Sequence, residues 1–176
     1  IVGCCFKKTY WDATKKVNAS RLVLPKCLIV NYYAKSIEDA ERVTEVIQLS
    51  KRKIKERINR KLYRDIRLGE PVESSTFKIS VTQEATQRQE DEPDTTPYTI
   101  LEQHTFLDLD GDGYTEPYIV TVEENTRSVL RIVPRFGPDT IEMDEDEQVV
   151  AIEPDIYYTK YSFIPNPDGG FYDIGF

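Results

Sequence analysis

From residue 98 onward the chain runs in short apolar bursts set apart by turn formers, and that spacing excludes a helical bundle. Residues 99–107, 117–123, 128–133, 148–152 and 156–164 are rich in β-branched and aromatic side chains. Such runs favour strands because branched and ring side chains pack well on a pleated surface. Between them lie Gly111-Asp112-Gly113, Glu124-Asn125-Thr126-Arg127 and Pro165-Asn166-Pro167-Asp168-Gly169-Gly170, each a cluster of turn residues. The pattern predicts a β-meander. Upstream, residues 4–11 and 21–24 flank the polar stretch 12–16 and predict a hairpin. Residues 27–33 read as a short buried strand and 43–49 as a further β-branched run, while Ser36 is placed to cap a helical turn over 37–40. Residues 76–81 alternate, with Phe77, Ile79 and Val81 on one face, and read as one more strand.

The 176 residues suffice for one domain, or one domain with an appended arm. A composition 39% hydrophobic and 31% charged excludes a wholly disordered chain, a collagen and a disulfide-scaffold peptide. No stretch approaches the roughly 20 apolar residues that span a bilayer, so no membrane contact is expected. Cys4, Cys5 and Cys27 offer no framework of pairs, which favours a reducing setting and thiols used as small core residues. The chain starts Ile1-Val2-Gly3 and stops at Phe176 in an aromatic-rich run, and is expected to be a fragment of a longer polypeptide.

The net charge of −8 conceals two opposite halves. Residues 1–67 hold 17 lysines and arginines against 7 acids, whereas residues 68–176 hold 6 against 24. Residues 51–67 alone carry nine basic and two acidic side chains. Ile54, Ile58 and Leu62 recur there every four positions, with Tyr63 and Ile66 alongside, and Ser50 precedes them as an N-cap candidate. One basic amphipathic helix packed on the sheets is the expectation, and the fold class is α+β, mainly antiparallel β. The helix either presents Lys51, Arg52, Lys55, Arg60 and Arg64 to a neighbouring subunit or to phosphates, or leaves them solvated and paired with the acidic half. Three parts follow: a basic hairpin-and-helix part over 1–69, an acidic linker-like loop over 70–97, and an acidic meander over 98–176, all within one domain. A second acidic run, 139–147, is read as a solvated loop or an exposed edge.

The sharpest local chemistry is residues 108–116, DLDGDGYTE. Carboxylates at alternate positions of a tight turn point at one centre, and hard oxygen ligands suit Ca²⁺. The candidate ligands are Asp108, Asp110, Asp112, Tyr114 and Glu116. Ile119 stands where an EF-hand has its bidentate glutamate, and the flanks read as strands rather than helices. The competing reading is a plain hairpin turn whose aspartates and glycines supply geometry. Ca²⁺ is the one cofactor the sequence admits, and none is required.

Catalysis finds little support. His104 is the single histidine, and no Gly-x-Ser-x-Gly, P-loop or Cys-x-x-Cys occurs. A strand histidine of this kind is read as filler. Tyr157, Tyr158 and Tyr161 are read as alternating between core and interface, and Trp11 as a packing residue. The expectation is a chain that is not an enzyme.

Four pieces in order resemble one family. Residues 107–122 (LDLDGDGYTEPYIVTV) and 129–135 (VLRIVPR) resemble a segment of the portal proteins of short-tailed bacteriophages. Residues 158–172 (YTKYSFIPNPDGGFY), followed by Ile174-Gly175-Phe176, resemble the stretch before that family's tunnel-lining helices. Val30-Asn31-Tyr32, Ser36-Ile37-Glu38-Asp39-Ala40 and Arg42-Val43-Thr44 resemble an earlier stretch. The resemblance spans about 110 residues, with gaps near 70–97 and 138–153. It implies the wing region of a subunit that forms a dodecameric ring at a capsid vertex, in phage or prophage. The implied partners are identical subunits, terminase, capsid, scaffold and tail proteins, and the double-stranded DNA that passes through the channel. The implied location is the virion, and the bacterial cytoplasm during assembly. The family has no catalytic residues to carry over, and the long channel helices are absent from these residues. Opposite charge in two halves suits the heterologous contacts that a closed ring requires.

Three readings of other classes remain alongside. One is a calcium-stabilised β binding module, against which three unpaired cysteines weigh. Another is sequence-independent DNA binding by the basic helix. The last is a carboxylate glycosidase using a pair such as Asp110 and Glu116, for which nothing in the sequence fixes a catalytic separation.

Overall fold

A computed structural model of the chain describes residues 3–12, 15–72, 96–146 and 148–175. The expected strand at 76–81 lies outside the described residues, as does most of the linker-like loop. The described chain is mainly antiparallel β with a single helix. In order it forms β1 (Cys4–Asp12), β2 (Val17–Val23), β3 (Leu28–Val30), β4 (Arg42–Leu49), α1 (Lys51–Asn59), β5 (Tyr98–Leu107), β6 (Glu116–Glu123), β7 (Val129–Pro134), β8 (Ile141–Met143), β9 (Val149–Ile152) and β10 (Tyr158–Ser162). Three sheets result, with strand orders β10-β1-β2, β3-β4-β5-β6-β7 and β8-β9.

The described chain divides into two compact units. One takes Ile1–Glu45, Gln103–Ile119 and Val133–Phe176, and the other Val46–Glu102 and Val120–Ile132. Each has its own core. In the first unit, β1 alternates: Cys4, Phe6 and Lys8 are buried, while Lys7 and Thr9 face solvent. Phe6 and Leu28 are wholly buried and join Val23, Val43, Tyr158 and Phe171 in one cluster. Burying a side chain of that size contributes roughly 2–3 kcal/mol. β1 pairs with β2 from Phe6↔Val23 to Asp12↔Val17, which is the expected hairpin. Its other edge takes β10 in antiparallel register from Cys4↔Ser162 to Lys8↔Tyr158. In the second unit, Leu49, Ile54, Tyr63, Tyr98, Ile100 and Leu130 form the core.

Several expectations need correction. The meander holds for β5-β6-β7, but β8 and β9 pair only with each other and β10 returns to β1. Period-2 patterning marks a strand without naming its partner, so that return was invisible locally. The strand expected over 27–33 shrinks to Leu28–Val30. Pro25 opens a 3-10 turn before it, and after it the Ala34 N–H bonds the Asn31 carbonyl at 3.1 Å. The single turn expected over 37–40 is present: the Ala40 N–H bonds the Ile37 carbonyl at 3.3 Å, and Ser36 Oγ accepts the Asp39 N–H at 3.0 Å. The acidic run from 139, read as a solvated loop or an exposed edge, holds some of each. Pro138–Thr140 make a 3-10 turn and Ile141–Met143 form β8, leaving Glu142, Asp144, Glu145 and Asp146 exposed.

The helix is shorter than its apolar stripe. Arg60 is the C-cap, and Lys61 adopts a left-handed backbone with φ of 59°. The Lys61 N–H bonds the Ile58 carbonyl at 2.8 Å and the Leu62 N–H bonds the Arg57 carbonyl at 2.9 Å. That pair of bonds is a Schellman closure, normally built on glycine. It turns the chain so that Tyr63 drops into the core while Leu62 stays exposed. Ser50 has the extended backbone of an N-cap, but its hydroxyl makes no cap bond.

Candidate functional site

The aspartate loop joins β5 to β6. Gly111 and Gly113 take φ of 80° and 95°, a region an L side chain rarely enters, so glycine is needed at both. Asp108 Oδ1 accepts the Gly111 N–H at 2.6 Å and its Oδ2 accepts the Gly113 N–H at 3.1 Å. Asp112 Oδ1 accepts the Tyr114 N–H at 2.7 Å. These carboxylates therefore order the turn themselves. One oxygen from each of Asp108, Asp110 and Asp112 lies within 4.8 Å of the others, and all three residues are exposed. The three form a group able to hold a metal ion. Glu116 does not join it: it is half-buried at the start of β6. Tyr114 is a candidate through its carbonyl; its hydroxyl accepts the Ile152 N–H at 3.0 Å.

The basic residues singled out from the sequence separate into two groups. Lys51, Arg52, Lys55 and Arg60 line one shallow depression with Glu56 and Asn59. Arg64 lies beyond the helix, exposed, its N–H bonded to the Leu130 carbonyl at 2.9 Å. Glu56 bridges Arg60 at 2.7 Å and Arg52 at 3.8 Å, and Lys55 reaches Asp65 at 3.8 Å. All these side chains are largely solvated, so each pair stabilises by less than about 1 kcal/mol.

A constellation the sequence reading missed sits inside the first unit. Glu45 on β4 is buried, and its Oε2 accepts from Lys8 Nζ and from the Tyr158 hydroxyl, each at 3.0 Å. Arg21 on β2 closes on Oε1. Lys8 Nζ also lies 5.1 Å from the Tyr158 ring centre. Four strands thus meet on one carboxylate. The clue was present: Lys8 falls in phase with Cys4 and Phe6, and Glu45 stands inside a β-branched run.

A second cluster fastens the C-terminal stretch. Lys160 Nζ sits 2.9 Å from Asp173 Oδ2, and Asp173 Oδ1 accepts the Asn166 N–H at 3.2 Å. Burial opposes ionisation of Asp173. Hydrogen bonds from Ser162, Lys160 and the Asn166 N–H, with the Lys160 charge, outweigh it and hold the carboxyl below its usual range. The Gly3 N–H bonds the Asp173 carbonyl at 2.8 Å, and Ile174 bridges Ile164. A Cβ on Gly3 would stand 1.8 Å from the Ile174 carbonyl oxygen, so only glycine fits. Tyr172 donates to the Leu28 carbonyl at 2.7 Å.

The remaining residues fall into place by burial. His104 is buried, its ring 5.2 Å from that of Tyr157 and 5.1 Å from that of Tyr158. Tyr158 is core, whereas Tyr161 and Trp11 are exposed. The three cysteines are free, and burial pushes the Cys27 thiol up, away from thiolate chemistry. None of the helices among the described residues is long and apolar enough to cross a membrane. No protein-family model matches the chain, and no curated protein matches it.

Proposed function

We propose that this chain is a structural and interaction element, the wing part of a phage or prophage portal subunit, and not an enzyme. The observation that carries this reading is the run over 158–175. It is the most distinctive of the four resembling pieces, and its Pro-Asn-Pro-Asp-Gly-Gly-Phe stretch is tied down by Asp173, Lys160, Asn166 and Gly3 rather than frayed. The basic face of α1, with Lys51, Arg52, Lys55 and Arg60, meets the acidic surface of a neighbouring subunit, where charge sets register and encounter rate. Identical subunits, terminase and tail proteins are the partners of this reading, and the virion its location. Electron microscopy of the full gene product containing this chain tests it. Closed rings are the expected result, and a dispersed monomer at micromolar concentration refutes it.

The Asp108, Asp110 and Asp112 group supports a second, local role: a turn that takes Ca²⁺ as a structural ion. A thermal melt with calcium against chelator reads it. A rise in melting temperature that Asp110→Asn abolishes is expected, and no shift removes the ion from the assignment.

A further inference from the structure

The first unit holds a cavity of about 280 Å³. Ile37, Ala40, Val43, Pro154, Ile156 and Tyr157 supply apolar or aromatic wall, and His104 lines it as well. One permanent cation lines it, Arg135, just beyond β7. The guanidinium rests 5.4 Å from the Phe106 ring centre, and its Nη1 donates to the Asp155 carbonyl at a long 3.4 Å. Its Nε is shut off from solvent and has no hydrogen-bond partner among the described residues. No carboxylate of the described residues lies within ion-pair distance of it, although the Asp155 charge acts on it from nearby. A guanidinium carries five N–H donors in a fork that matches a carboxylate, so this one is underused. Glu38 and Glu153 also line the cavity, but both are exposed and screened by water.

We propose that this cavity is a binding site for a monocarboxylate with a short apolar body, whose carboxylate docks on Arg135. The apolar walls take the body and the guanidinium takes the charge. Burial depresses the Arg135 guanidinium, so a ligand anion relieves part of its desolvation. The volume lies near the lower end of small-molecule sites, roughly 300 Å³, which limits the body to one ring or a short aliphatic chain. This inference stands apart from the ring reading, because it is measured on the chain alone.

Calorimetric titration with phenylacetate, and with the uncharged phenylacetamide, tests it. One phenylacetate is expected to bind per chain, with the amide weaker by about tenfold or more, since a charge-assisted bond is lost. Arg135→Gln is expected to lower phenylacetate affinity by a similar factor. Ile156 is 60% exposed, so Ile156→Trp narrows the mouth without disturbing the core and is expected to abolish binding of both compounds. Should Arg135→Gln fail to fold, the acid–amide comparison and Ile156→Trp still decide. Absence of binding to the unaltered chain, equal affinity for acid and amide, or full affinity in Ile156→Trp would each overturn the proposal.

Discussion

The two compact units satisfy buried charge by different means. The unit containing β1 buries a carboxylate, Glu45, and surrounds it with Lys8, Arg21 and Tyr158. The unit containing α1 packs an apolar core of Leu49, Ile54, Tyr63, Tyr98, Ile100 and Leu130, holds its buried carboxylate Glu123 on the Asn125 and Thr126 N–H groups and the Thr126 hydroxyl, and leaves the charges of α1 in water. A buried ion pair is weak evidence of stability, because desolvation offsets much of the attraction. Its use is specificity. Glu45 can be satisfied only when β1, β2, β4 and β10 stand in one register, and a one-residue slip would strand it. The solvated pairs around Glu56 fix nothing of the kind.

Breaking the buried cluster should therefore have the largest effect. Glu45→Ala leaves Lys8 buried without its counter-charge and is expected to cost about 3–5 kcal/mol in denaturant unfolding. The paired change Lys8→Met with Glu45→Leu is expected to restore part of that loss, since apolar replacement of an ion pair is often neutral while the Tyr158 hydroxyl loses its Glu45 acceptor. A double variant as unstable as Glu45→Ala would show that the site needs charge rather than shape.

Gly3→Ala comes next. Its Cβ would collide with the Ile174 carbonyl, and displacement of the C-terminal stretch is expected to cost about 1–3 kcal/mol. Acid should act on the same place. Asp173 is more acidic in the fold than in the unfolded chain, so its stabilisation is complete above its unfolded value and is lost as pH falls through the folded value. Amide exchange at Gly3 and Asn166, corrected for intrinsic rates, should accelerate on acidification while the Arg64 amide of the other unit holds. Asp173→Asn should remove that pH dependence, and equal acceleration in both units would contradict the contrast.

The smallest effects belong to the helix-bearing unit. Lys61→Gly relieves a left-handed residue and is expected to stabilise by roughly 1 kcal/mol, read by melting. Arg60→Ala should change stability by less than about 1 kcal/mol, because its pair with Glu56 is solvated.

Local patterning made much of the fold legible. The β1–β2 hairpin, the three neighbouring strands β5 to β7 and the start of α1 follow from alternation, turn residues and the four-residue stripe. What stayed hidden is non-local. The pairing of β10 with β1 joins residues 150 or more positions apart, and Lys8 meets Glu45 across 37. The end of α1 was misjudged because lysine, not glycine, closes it, and a stripe that continues through Leu62 and Tyr63 looks helical to its end. Gly3 carried no signal at all, since its requirement comes from the distant Ile174 carbonyl. Of the site residues, the three aspartates and the α1 cations were visible as composition, whereas Glu45, Asp173 and Arg135 matter only through what the fold brings to them.

One unit is locked by buried charge, and in the proposed ring the α1 face engages an identical neighbour. Mass measurement under native conditions, on the full gene product with Lys51→Glu and Lys55→Glu, tests it most directly. The expected result is that ring-sized particles give way to single subunits while protection of the Phe6 and Ile100 amides is unchanged. Rings of unaltered mass, or disassembly accompanied by loss of that protection, would contradict it.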